Sequence, residues 1–76
     1  MAEERRTVAA RAAVYRLYAC RFCTVLYVVE VIYDGERSAA YLGEDPDLCA
    51  EMFAALVRGE VTACTLRDVV EDIRNS

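Results

Sequence analysis

The chain has 76 residues, a net charge of −4, 57% apolar and 29% charged residues, nine arginines, no lysine and no histidine. That length supports one small domain with one core, and the balance of apolar to charged residues is that of a globular chain rather than a disordered one. The acidic total argues against nucleic acid as a partner, since phosphate binding draws on clustered basic residues; the one basic bias is local, at Arg5, Arg6, Arg11, Arg16 and Arg21.

Residues 3–12 are rich in Ala, Glu and Arg, a composition that predicts a helical or flexible N-terminal segment. No apolar stretch follows Met1-Ala2-Glu3-Glu4-Arg5-Arg6, so no signal peptide is expected. The longest strongly apolar run, Val25 to Val29, is far too short for a membrane span. A cytoplasmic protein without a membrane partner is the expectation.

From Val14 the pattern changes to that of strands. Val14 to Phe22 mixes Tyr, Val, Leu and Phe with Arg and Cys, and Val25 to Tyr33 is the clearest strand of the chain. Asp34-Gly35 is the signal of a two-residue type I′ hairpin, after which Arg37 to Leu42 returns as a third strand. Asp45-Pro46-Asp47 opens a helix with a cap, a proline in the first helical position and an acid in the first turn. Its buried stripe is expected at Leu48, Met52, Phe53 and Leu56 with Cys49 beside it, and Gly59 is expected as a left-handed C-cap. A closing helix follows from Thr65, with Leu66, Val69, Val70 and Ile73 at i, i+3, i+4 and i+7 and a Thr65–Asp68 pairing similar to a capping box. The fold class is therefore α+β: a three-stranded antiparallel sheet over about residues 14–42, then helices near 46–58 and 65–74, in the order β-β-β-α-α, with both helices on one face.

The hairpin turns fix the registers. With Asp34-Gly35 as the turn, Tyr33 opposes Glu36, Val31 opposes Ser38 and Val29 opposes Ala40; a turn centred on Cys23 sets Arg16 against Glu30 and Tyr18 against Val28. Side chains alternate across each strand, so one face carries Tyr15, Leu17, Ala19, Tyr27, Val29, Val31, Ala40 and Leu42 and should take the helices. The other carries Val14, Arg16, Tyr18, Cys20, Leu26, Val28, Glu30, Ile32, Arg37 and Tyr41. An Arg16–Glu30 pair with Arg37 on a diagonal suits a face in water, yet the residues around it are too apolar for a comfortable monomer. Either the N-terminal segment folds across this face or another chain does, and the patch favours another chain, most simply a second copy. The candidate interface is Val14, Arg16, Tyr18, Val28, Glu30, Ile32 and Tyr41.

Catalysis has little to draw on. Without His or Lys the remaining acids and bases are carboxylates, tyrosines and thiols, and Glu30 beside Arg16 is more simply an ion pair than a base. The three glycines form no phosphate loop, and Asp68, Glu71 and Asp72 lack the oxygen-rich loop of a calcium site. A DNA-reading helix is disfavoured, because the closing helix is acidic outward. No cofactor is expected. The cysteines supply the alternative reading, a small zinc-binding protein using Cys20 and Cys23, at CxxC spacing, with Cys49 or Cys64. Against it stand the missing second knuckle and the place of the CxxC at a hairpin turn, so reduced, packed thiols are the simpler reading.

The closing segment Val61-Thr62-Ala63-Cys64-Thr65-Leu66-Arg67-Asp68-Val69-Val70-Glu71-Asp72, with Tyr15-Arg16-Leu17 upstream, resembles a family of small uncharacterised proteins of Gram-positive bacteria, a domain of unknown function with a Leu-x-Asp-Val-Val-Glu-Asp end. The likeness covers about residues 14–73 and only its last dozen residues are specific. Ala63-Cys64-Thr65 departs from the Pro or His common there, and the Cys20/Cys23 pair is not a family feature. The resemblance implies a bacterial cytosolic domain and no activity.

Overall fold

A computed structural model describes residues 2–10, 12–21 and 23–75; Arg11 of the basic cluster and Phe22 of the CxxC segment lie outside the described residues. Four strands come first, β1 Ala2–Ala9, β2 Ala13–Arg21, β3 Val25–Tyr33 and β4 Glu36–Gly43, followed by helices α1 Pro46–Arg58 and α2 Leu66–Arg74. The strands form one antiparallel sheet in the order β1-β2-β3-β4. The α+β plan with the helices after the sheet is as expected, but the sheet has four strands, not three.

The extra strand is the segment expected to be helical or flexible. β1 pairs along β2 from Ala2↔Cys20 to Ala9↔Val14, with a register shift between Glu4 and Arg6. Helix propensity is a weak preference, and here the gain from pairing the outer edge of β2 overrides it. Thr7 and Val8 are the β-branched residues that suit the strand, and Val8 packs against the core.

The other registers are as read from the turns: Arg16 opposes Glu30, Tyr18 opposes Val28, Val29 opposes Ala40 and Tyr33 opposes Glu36. Asp34 and Gly35 have φ of 51° and 79°, the two positive values a type I′ turn requires. The helix-side face therefore buries Tyr15, Leu17, Ala19, Val29, Val31 and Leu42, with Tyr27 and Ala40 half-buried against them.

In α1, Asp45 caps as expected, its Oδ1 accepting from the amides of Asp47 at 3.0 Å and Leu48 at 3.3 Å. Its buried stripe is Cys49, Met52, Phe53 and Leu56, whereas Leu48 is 52% exposed. The helix ends in a Schellman pattern, the Glu60 amide donating to the Val57 carbonyl and that of Val61 to Leu56. The left-handed residue is Glu60, with φ 52°, and Gly59, expected to hold that place, stays right-handed. α2 buries Leu66 and Val70 and packs Val69 and Ile73 against the core. Thr65 does not cap it; its hydroxyl bonds instead within the connector, 3.0 Å from that of Thr62.

Tyr15 ties the sheet to that connector. It is 1% exposed, and its hydroxyl donates to the Val61 carbonyl at 2.9 Å. Burial first, then the charge of Glu60 and the neighbouring Tyr33, push its pKa above the ordinary 10.0. The unfolded chain gives up this proton at lower pH than the folded one, so the associated stability is complete below pH 10 and is lost as pH rises through the folded value. Cys49, raised from 9.0 by burial and by Asp45, acts in the same direction. Tyr15→Phe is expected to cost about 1–2 kcal/mol by leaving the Val61 carbonyl unbonded, and to blunt the alkaline loss of stability. Urea unfolding between pH 7 and 11 measures both; an alkaline limb unchanged in the variant would acquit Tyr15.

Candidate functional site: the open face of the sheet

Both helices pack on one side of the sheet, and no described element covers the other. The N-terminal segment extends the sheet as an edge strand instead of crossing the face, and so widens it. Val14, Arg16, Tyr18, Cys20, Leu26, Val28, Glu30 and Ile32 are each half-buried by their neighbours alone, while Arg37 and Tyr41 are exposed.

A row of alternating charge crosses this face. Arg16 Nη1 is 3.7 Å from Glu30 Oε1, and Arg37 Nε is 3.5 Å from Glu30 Oε2. On the other side Arg16 Nε is 3.7 Å from Glu4 Oε1. Glu4, Arg16, Glu30 and Arg37 thus stand one on each strand, in the order acid, base, acid, base. The Tyr18 hydroxyl joins the centre of the row, donating to Glu30 Oε1 at 3.4 Å. The Tyr18 oxygen, as an acceptor beside the guanidinium, ahead of the charges of Glu4 and Glu30, raises the Arg16 pKa, so this arginine stays protonated. These contacts are long and mostly wet, and exposed pairs of this kind add little stability. The row is not saturated either: Arg16 Nε is buried without a hydrogen-bond partner among the described residues.

Apolar side chains flank the row. Val14 and Ile32 lie towards one end of the sheet, and Tyr18, Val28 and Leu26 towards the other, each pair of neighbours matched across β2 and β3. Tyr41 opposes Val28, and its ring also holds Arg74 of α2, whose guanidinium carbon is 5.3 Å from the ring centre. Six of the seven interface candidates, Val14, Arg16, Tyr18, Val28, Glu30 and Ile32, are therefore contiguous on β2 and β3, and Tyr41 sits at their border with the β4 edge. Glu4 was not expected here, since only recognition of β1 as a strand brings it to the face.

The sheet edges are less available than the face. A groove of about 580 Å³ runs between β4 and α2, where Arg67 Nε donates to the Ala39 carbonyl at 3.5 Å. At the other edge, β1 carries Glu3, Glu4, Arg5 and Arg6 and a register shift, both of which oppose edge-to-edge pairing.

The thiols are dispersed. Cys20 is on the open face, Cys49 is buried beneath the opposite face, and Cys23 follows the end of β2. Cys64 donates to Glu36 Oε2 at 3.3 Å, beside Tyr33, whereas Cys23 lies near Val25 at the other end of β3, roughly 25 Å away at ~3.3 Å per strand residue. No group of three or more potential metal ligands forms among the described residues. At pH 8 Cys23 is expected to react with iodoacetamide before Cys64, whose pKa the hydrogen bond to Glu36 raises, and Cys49 only on unfolding. Mass spectrometry of partially alkylated protein gives that order, and modification of Cys49 ahead of Cys23 would contradict this placement.

No helix is long and apolar enough to cross a membrane among the described residues. No protein-family model, curated protein or solved structure matches the chain.

Proposed function

We propose that this is a small, non-catalytic protein-interaction or regulatory module of the cytoplasm that self-associates through the open face of its sheet. One observation carries the proposal. With a core of its own on the helix side, the chain leaves aromatic and β-branched residues on the other side that no described element covers. Such a patch around a few polar groups has the make-up of an interface centre, where tyrosine buries its ring and keeps its hydroxyl wet. The net charge of −4 and the acid-base alternation of the face favour a protein partner over nucleic acid. The four cysteines, none in a disulfide, suit a reducing compartment.

The face is small. Four strands at ~4.8 Å spacing and nine residues at ~3.3 Å give about 600 Å² per copy, short of the ~800 Å² of a standard interface. A concentration-dependent dimer, rather than an obligate one, is the expectation. Sedimentation velocity of the wild type from about 1 to 500 µM tests it. A sedimentation coefficient that rises from monomer to dimer supports the reading, and a monomer throughout rejects it.

A further inference from the structure

We infer that the second copy packs face to face about a two-fold axis that lies in the interface perpendicular to the charge row, so that Glu4 of each copy meets Arg37 of the other. This rests on the reading of the open face as a self-association surface and specifies its geometry. The row Glu4–Arg16–Glu30–Arg37 runs across β1, β2, β3 and β4 in the order acid, base, acid, base. A closed dimer uses the same patch on both copies, so the row must meet itself. Two in-plane axes lay the row back upon itself. An axis along the row sets Glu4 on Glu4 and Arg16 on Arg16, four like-charge contacts. An axis across it reverses the second row, and every acid then meets a base: Glu4 on Arg37, Arg16 on Glu30, and the same two pairings repeated. Like-charge juxtaposition at an interface is heavily penalised, so the sign order alone selects the second arrangement.

One further observation agrees with it. The apolar flanks keep their sides under the same rotation: the Val14–Ile32 flank of one copy faces the Val14–Ile32 flank of the other, and the Tyr18–Val28 flank faces its like. Hydrophobic area is therefore matched with hydrophobic area while the charges are paired.

The test uses the separation of Glu4 and Arg37. They stand on the two outermost strands of one sheet, Glu4 level with Tyr18 and Arg37 level with Ile32, about 20 Å apart at ~4.8 Å per strand and ~3.3 Å per residue, and each has its own intrachain partner, so they do not couple within a copy. Their side chains are 54% and 68% exposed, so reversing either charge leaves the core untouched. Glu4→Arg alone puts Arg on Arg twice per dimer, and Arg37→Glu alone puts Glu on Glu twice. Each is expected to weaken self-association about tenfold or more at low salt. An equimolar mixture of the two variants restores both contacts, one as in the wild type and one with the signs exchanged, and native mass spectrometry should show heterodimer in preference to either homodimer. The doubly substituted chain, Glu4→Arg with Arg37→Glu, should regain homodimer for the same reason. A wild type that dimerises, and loses the dimer on Val28→Arg, while the mixture yields no preference for heterodimer, overturns the two-fold arrangement and leaves the face as the interface. A wild type that stays monomeric overturns both.

Discussion

Val70→Asp should unfold the domain or bring it to the edge of unfolding. Val70 is 3% exposed, in the same buried stripe of α2 as Leu66, and α2 is the element that closes the core over β4. A carboxylate there must either ionise in a largely apolar setting or stay protonated against its ordinary pKa, with partial relief from Arg67 and Arg74 at the adjoining groove. An unpaired buried charge costs roughly 3–5 kcal/mol, while a chain of this length has about 4–11 kcal/mol in total. At ~4–8 °C per kcal/mol the melting temperature should fall by at least about 12 °C. Glu71→Gln is the internal control. Glu71 is the next residue, exposed, and should shift stability by no more than about 0.5 kcal/mol. Thermal and urea unfolding followed by circular dichroism compare the two. A Val70→Asp chain that melts within a few degrees of the wild type would mean α2 is not part of the core, and a large loss from Glu71→Gln would mean its acidic side is structural.

What the sequence made legible follows from where local chemistry was decisive. Asp34-Gly35 admits one tight hairpin, so the β3–β4 register and the Arg16–Glu30 pairing follow from counting outwards from the turns. Asp45-Pro46 likewise sets the start of α1 without tertiary help. The phase of that helix was legible only in part: Met52, Phe53 and Leu56 are buried as expected, but Leu48, which keeps i, i+4, i+8 spacing with Met52 and Leu56, falls on the exposed margin of the stripe and Cys49 takes the buried place. β1 was hidden for a physical reason. Of its eight residues only Val8 is even half-buried, so neither side prints an apolar alternation, and the shift between Glu4 and Arg6 breaks what period there is. Composition then speaks for helix, and only pairing with β2 decides against it.

The helix ends show a second kind of limit. Gly59 looks like the left-handed residue because glycine adopts that conformation at no steric cost, yet Glu60 takes it, at about 1–3 kcal/mol for a non-glycine residue. Two well-placed bonds, from Glu60 to Val57 and from Val61 to Leu56, offset that cost and aim Val61 into the core beside Tyr15. Thr65 is a similar case, since its hydroxyl has Thr62 nearer to hand than a free amide of α2. Of the candidate site, the two central strands were legible through register alone. Glu4, the outermost acid of the row, was not, because its place depends on the strand that left no pattern.

Val28→Arg is the substitution that should separate association from folding. Val28 lies on the open face between Tyr18 on β2 and Tyr41 on β4, next to the row at Glu30, and its own chain only half-buries it. In the monomer an arginine there has water above it, its methylenes can lie along the neighbouring rings, and the core on the opposite side is unaffected. The melting temperature at low concentration should therefore stay within a few degrees of the wild type. In the dimer the same side chain is enclosed, and two-fold symmetry places two of them in one interface. Each such charge costs roughly 3–5 kcal/mol when enclosed without a partner, so association should weaken at least a hundredfold. Nearby Glu30 offers partial relief, but it already serves Arg16 and Arg37, and a third arginine leaves the row with excess positive charge on both copies. Added salt should then recover some dimer in the variant, because screening weakens the repulsion while leaving apolar contact intact. Sedimentation of wild type and variant, each at low and high salt, reads out all of these effects. Unchanged association in Val28→Arg would place the contact elsewhere on the molecule, with the β4–α2 groove as the next surface to substitute.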